Sequence, residues 1–232
     1  MLAAAIILTV GLSPFNLARF QISKTRQQFG GCNLDTCETL KPFELESVRY
    51  LSVHELEVLI SREQIAGRVA ELGKQITADL AGQPAIFVGV LKGAAVFLSD
   101  LVRQVELDAT FDFIGVASYG NAAQGTTTWD STGEVRLTKD VDKSLRDKNV
   151  ILVEDILDTG LTLTFIKRLL LGHQPKSFRV AVLLDKPSRR KLEIQADYVG
   201  FTIPDKFVVG YGLDYAERYR NLADICVVPV VG

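Results

Sequence analysis

The sequence predicts an α/β fold, a mainly parallel, twisted sheet flanked by helices, on three observations. Short apolar runs recur at AIFVGVL (85–91), NVILVED (149–155) and FRVAVLLD (178–185). Segments of helical period alternate with them. Glycines and acidic turn residues punctuate the joins, as they do where strands feed crossover helices. Strands alternating with helices in this way form parallel sheets covered on both faces.

The elements follow in chain order. Ile65, Val69, Leu72, Ile76 and Leu80 recur at three- or four-residue spacing, with Ser61 and Gln64 as a possible capping box and Gly82 as the stop. This is an amphipathic helix. The run 85–91 is a strand, and 94–105 is a second helix entered through Gly93. DFIGVASY (112–119) reads as the next strand. Gly120 to Gly133, with NAAQGTTTWDST between the glycines, has little apolar content and no period, so it reads as a long mobile loop, of a length that is usually functional or disordered. A buried strand over 149–155 leads into the helix LTLTFIKRLLL, closed by Gly172, and 178–185 is a further strand.

Composition limits what such a domain can do. The chain has 232 residues, 47% hydrophobic and 23% charged, enough for a real core in one domain plus a tail. Lys and Arg number 26 against 28 Asp and Glu, a net charge of -2. No global basic field exists for gripping nucleic acid, so any anion must be held by a local site. Cys32, Cys37 and Cys226 are an odd, sparse set without a CxxC spacing. They support neither a disulfide framework nor a zinc cage, and a reducing compartment fits them. The first fifty residues differ in character. MLAAAIILTVG is apolar but too short to span a bilayer, and Arg19, Lys24 and Arg26 precede the first acidic residue, Asp35. Residues 1–50 are therefore an extension with three open readings: a cleavable organellar leader, an unstructured tail, or a start assigned upstream. Residues 51–232 form the folded domain, expected in the cytoplasm unless the extension directs it elsewhere, with no stable membrane association.

The stretch VEDILDTGLT (153–162) carries the chemistry. Glu154, Asp155 and Asp158 cluster at the exit of a strand, with Thr159, Gly160, Leu161 and Thr162 opening the helix behind them. Ligands in parallel sheets bind at the carboxyl ends of strands. Free amides and the positive helix end favour a phosphate there, and the threonine hydroxyls add donors. Glu154 and Asp155 suit sugar hydroxyls, which leaves Asp158 facing the chemistry. A phosphorylated sugar satisfies both halves. Helix capping alone accounts for one aspartate but poorly for three carboxylates. DTG (158–160) is also an aspartic-protease signature, but those enzymes pair two such aspartates in strand-rich folds, and here one DTG precedes a helix.

This stretch resembles the phosphoribosyl diphosphate (PRPP) motif of the phosphoribosyltransferases. With VLKGA (90–94), ASYGN (117–121), LLDKPSRR (183–190) and IPDKFVVGYGLDYAERYRNL (203–222), in that order, residues 57–228 resemble the hypoxanthine-guanine branch of the purine phosphoribosyltransferases. The resemblance implies the type I fold with a small hood subdomain. It also implies purine salvage: transfer of the phosphoribosyl group from PRPP to hypoxanthine or guanine, giving IMP or GMP and diphosphate, with Mg2+ as cofactor.

It further implies a role for each motif residue. Lys92 and Gly93 hold diphosphate, and the peptide before the lysine can be cis in the family. Asp158 is the general base. The 154–162 turn and Arg220 hold PRPP. Lys186 donates to the exocyclic oxygen of a 6-oxopurine, Phe207 stacks on the base and Val208 bonds its edge. Asp214 lies beside the base and, with Glu154 and Asp155, forms the magnesium set. Ser118 and Tyr119 begin a lid containing Trp129, while Arg189 and Arg190 lie at the surface. Leu161 stands where some members carry lysine. Self-pairing as a homodimer or homotetramer, beside the LKGA strand, is implied by resemblance alone. A xanthine-preferring enzyme and a regulatory nucleotide-binding protein on the same fold are the alternatives.

Overall fold

In the computed structural model, residues 55–119 and 134–229 are described. The elements are β1 (Glu57–Ile60), α1 (Arg62–Leu80), β2 (Ala85–Leu91), α2 (Ala95–Val102), β3 (Ala109–Tyr119), β4 (Glu134–Lys139), β5 (Asn149–Leu157), α3 (Leu161–Leu171), β6 (Ser177–Asp185), β7 (Tyr198–Thr202), β8 (Val208–Val209) and β9 (Ile225–Val227). The main sheet has the order β4-β3-β2-β5-β6-β7. All of its pairings are parallel except that of β4 with β3. The fold class and the mainly parallel sheet are as the sequence predicts.

Alternation along the strands sorts side chains onto two cores. Phe87, Ile151 and Val153 join Ile65, Val69, Leu72, Phe97, Leu98 and Leu101 on the α1 and α2 side. Ile86, Val88, Val150 and Leu152 join Leu163, Ile166 and Leu170 of α3 on the other. Neighbouring residues of β2 and β5 therefore serve opposite faces, which is why these strands are apolar throughout. The chain runs outward from β2 to β3 on one side and from β5 to β7 on the other. That reversal places the topological switch point between β2 and β5, where ligands of such sheets bind.

Boundaries depart from the sequence reading in instructive ways. The capping box is present: the Gln64 amide donates to Ser61 Oγ at 3.4 Å and the Ser61 amide to Gln64 Oε1 at 2.9 Å. α2 ends at Val102 rather than 105, where Gln104 packs directly on Gly73 of α1. β5 continues to Leu157, so Glu154 and Asp155 lie inside the strand rather than at its end. β1, β4, β7, β8 and β9 are too short or too irregular to announce themselves. β1, β9 and β8 form a separate antiparallel sheet, β1-β9-β8, the hood. Among the described residues no helix is long and apolar enough to cross a membrane. The extension 1–50 and the segment Gly120–Gly133 with Trp129 lie outside the described residues.

One buried acid fastens the sheet edge. Asp112 on β3 is nearly inaccessible, and its carboxylate accepts from the amides of Phe113 (2.7 Å), Asp142 (2.8 Å) and Lys143 (3.0 Å), with Lys139 Nζ 3.7 Å away. Burial alone would raise its pKa, but these amides and the ammonium outweigh burial and hold it below the usual carboxylate range. A depressed folded pKa stabilises above the unfolded value and is lost as pH falls through the folded one. Asp112→Asn should therefore cost roughly 1–3 kcal/mol at pH 7. The deficit should shrink below about pH 4. Urea unfolding at both pH values reads it.

Candidate active site

The site is assembled where β2, β5 and β6 end. The Leu91–Lys92 peptide is cis, and Gly93 follows it. A Cβ on Gly93 would sit 1.7 Å from Asp155 Oδ2, and one on Gly212 would sit 2.1 Å from the Gly93 carbonyl. No other residue lets the β2 exit, the β5 carboxylate and the 210–214 turn touch. This contact sets Gly93 against Asp155, at the sheet edge where the sequence expects the LKGA motif.

Two acids there are desolvated. Glu154 is almost fully buried and its Oε2 has no hydrogen-bond partner. Burial, then the neighbouring charge of Asp155, push its pKa up to about 8. Asp155 is also raised, first by burial; its own amide and that of Ile156, and then Arg220, work against the rise, while Asp214 adds to it. Asp155 keeps some solvent access. Asp214 accepts from the Glu217 amide at 2.8 Å and pairs with Arg220 at 2.8 Å.

These acids fit a magnesium ion of a particular kind. Among the described residues no three His, Cys, Asp or Glu side chains converge into a ready-made cage. The three-carboxylate set expected from the sequence, Asp214 with Glu154 and Asp155, is thus not preassembled. Magnesium seldom needs one, because it is commonly held by one or two carboxylates together with substrate phosphates. Asp155 and Asp214 feel each other's charge, and Glu154 carries an unpartnered oxygen.

The cations are already engaged. Lys92 Nζ is 2.6 Å from Glu217 Oε2, and Arg220 reaches Glu217 Oε1 at 3.2 Å while donating to the Gly212 carbonyl at 2.7 Å. Arg220 Nε is buried with no partner, a donor left for an anion. Glu217 thus touches both groups expected to hold diphosphate. The sequence reading did not single it out, because a glutamate in a charged loop carries no signal of its own.

Behind β5, α3 starts at Gly160, whose φ is 84° and which has no side-chain cap. Thr159 Oγ1 accepts from the Leu161 amide at 3.4 Å, and the first-turn amides around Thr162 have no intrahelical acceptor. The expected phosphate cradle is therefore open.

The residues expected to meet a purine begin one strand over. The Lys186 amide donates to the Leu157 carbonyl at 2.9 Å, fixing the end of β6 against the turn that carries Asp158. Lys186 is buried, which lowers its pKa, with Asp158 and Asp205 partly countering and Arg189 adding to the drop. Its Nζ is 3.8 Å from Asp205 Oδ1. Arg189, read from sequence as a surface residue, instead places Nε 3.0 Å from Asp158 Oδ1 and Nη1 3.6 Å from Asp205 Oδ2. Arg190 is also drawn in, paired with Asp185 and only 17% exposed. The Phe207 ring meets Tyr215 edge to face at 5.6 Å, and Val208 lies on β8, the outer strand of the hood. One row of β8 backbone groups is thus left for a ligand. Ser118 and Tyr119 pair with Val135 and Glu134 at the mouth of the β3–β4 connection.

Comparison with known proteins agrees with this geometry. The model of the phosphoribosyl transferase domain matches residues 59–216. The chain belongs to the phosphoribosyltransferase family. It is 47% identical over 176 residues to the hypoxanthine-guanine phosphoribosyltransferase of Bacillus subtilis, spanning 75% of this chain and 94% of that protein. The Staphylococcus aureus protein of that name is 48% identical over 166 residues, covering 72% and 89%. A crystal structure of the Bacillus anthracis phosphoribosyltransferase superposes with a TM-score of 0.69 at 49% identity, covering 75% of this chain and 98% of that one.

For this phosphoribosyltransferase the electrostatics give two expectations. A carboxylate with a raised folded pKa stabilises below its unfolded value and loses that contribution as pH rises through the folded one. Glu154→Gln should therefore flatten the fall in ligand-free stability as pH rises through about 8, measured as thermal midpoints from pH 6 to 9. Glu217→Gln should free Lys92 and Arg220 and tighten inorganic diphosphate binding by roughly two- to fivefold, since exposed ion pairs are individually weak. Isothermal titration reads it; unchanged or weaker binding counts against Glu217 as a competitor.

Proposed function

We propose that the chain is a purine-salvage hypoxanthine-guanine phosphoribosyltransferase that moves the 5-phosphoribosyl group of PRPP onto the imidazole nitrogen of hypoxanthine or guanine. IMP or GMP and diphosphate are the products. The observation that carries this reading is the buried Lys186 locked by its amide beside the strand end that carries Asp158. A 6-oxopurine presents an acceptor oxygen and a ring proton on one side, and a lysine next to a carboxylate complements both. Adenine offers an amino group where Lys186 requires an acceptor.

In the reaction the bond from ribose to diphosphate loosens before the purine nitrogen has fully bonded. Negative charge grows on the leaving group, where Lys92 and the unpartnered Nε of Arg220 stabilise it. The α3 amides hold the 5-phosphate, and Asp155, crowded against Gly93, accepts from ribose hydroxyls. Asp158 takes the ring proton as the purine attacks. Phe207 stacks on the base. Magnesium, when held by Asp214 and Asp155 with Glu154 behind them, supplies further positive charge to the diphosphate. Alignment of both substrates adds to these effects. The segment after Tyr119 closes over the site to keep water out, the protein acts in the cytoplasm, and it self-associates; these three parts of the proposal rest on the resemblance.

Turnover with PRPP, magnesium and each of hypoxanthine, guanine, xanthine and adenine tests the reading. IMP and GMP should form, and Asp158→Asn should slow both by roughly 10²- to 10⁴-fold. Turnover of xanthine alone would reassign the base. Tight PRPP binding with no nucleotide from any base would favour a regulatory role.

A further inference from the structure

The side-chain network around Asp158 contains two groups that the reaction has not used, Arg189 and Asp205. Arg189 lies one short turn beyond Lys186: Pro187–Arg189 is a 3-10 turn in which the Arg189 amide donates to the Lys186 carbonyl at 3.2 Å. Pro187 fixes φ at the start of that turn, so the two cations leave it at a set angle. Arg189 then spans two acids, with Nε 3.0 Å from Asp158 Oδ1 and Nη1 3.6 Å from Asp205 Oδ2. Asp205 closes the chain of alternating charge through Oδ1, 3.8 Å from Lys186 Nζ.

The two oxygens of Asp158 are not equivalent. Oδ1 is buried and accepts no directed hydrogen bond, yet the side chain as a whole is 36% exposed. The accessible oxygen is therefore Oδ2. Arg189 Nε lies against Oδ1, which leaves Oδ2 as the oxygen free to take a substrate proton. Its positive charge also leaves Asp158 little reason to swing onto Lys186, which the incoming purine oxygen needs free.

We propose that Arg189 is a positioning residue: it pins Asp158 Oδ1 so that Oδ2 faces the purine, and through Asp205 it sets the spacing between the proton acceptor and Lys186. This deepens the reading of Asp158 as general base and rests on it. The guanidinium is suited to the task because its planar fork reaches two carboxylates at once, which an ammonium cannot do from one position.

A double-mutant cycle separates this role from general support of the fold. Single-turnover IMP formation at saturating PRPP and hypoxanthine is measured for the parent, Arg189→Ala, Asp158→Asn and the double variant, with thermal midpoints alongside. Arg189→Ala should slow the parent by roughly 10- to 100-fold, the scale of a misplaced catalytic group. On the Asp158→Asn background it should slow the reaction by less than about twofold. Arg189→Lys, which keeps the charge but not the fork, should fall between parent and alanine and serves if the alanine variant does not fold. Equal losses on both backgrounds, or no loss on either, overturn the proposal. An Asp158→Asn rate close to the parent's would remove the general-base reading itself, and the positioning role with it.

Discussion

The site depends on crowding at one point, where the carboxylate of Asp155 occupies the volume a side chain on Gly93 would need. Two parallel strand ends are thereby held closer than their side chains would otherwise permit. The consequence is electrostatic. Glu154 and Asp155 lose water without gaining enough donors to replace it, so the protein folds around acids that resist ionising. A cationic or hydroxyl-rich ligand relieves that condition, and this couples binding to the sheet rather than to a surface loop.

The positive groups are handled differently. Lys92, Arg189 and Arg220 each rest against acids of the chain's own. A site that must accept a highly charged diphosphate and then release it is served by such partial neutralisation, because binding exchanges one set of ion pairs for another instead of adding bare attraction. The Lys92–Glu217 pair is exposed, and such pairs are weak, so its exchange is easy. Arg220 Nε, buried without a partner, is kept apart from that exchange.

Much of this was legible from the chain. The capping box at Ser61, the apolar runs of β2, β5 and β6, and the acidic turn before α3 each combine a local propensity with a period, and each lies where the pattern puts it. Asp158 was singled out because its acidic turn follows a strand, Lys92 and Lys186 because their motifs resemble the family's. What escaped was set by partners distant in sequence. Nothing near Asp205 or Glu217 reveals that they meet Lys186 and Lys92, and Arg189 looks like a surface residue until Asp158 is seen beside it. The hood strands escaped for the opposite reason: runs of two to four residues carry no period, and only pairing makes them strands.

The pairing of β1 with β9 has a consequence in time. Glu57–Ile60 leaves the ribosome long before Ile225–Val227, and β8 reaches β1 only through β9. The sheet that carries Val208 therefore cannot close until the last of its strands has been made. During synthesis the main sheet has all its strands in hand while the hood is still incomplete. A nascent chain in that interval has made Lys92 and the turn before α3, but neither Arg220 nor the last hood strand.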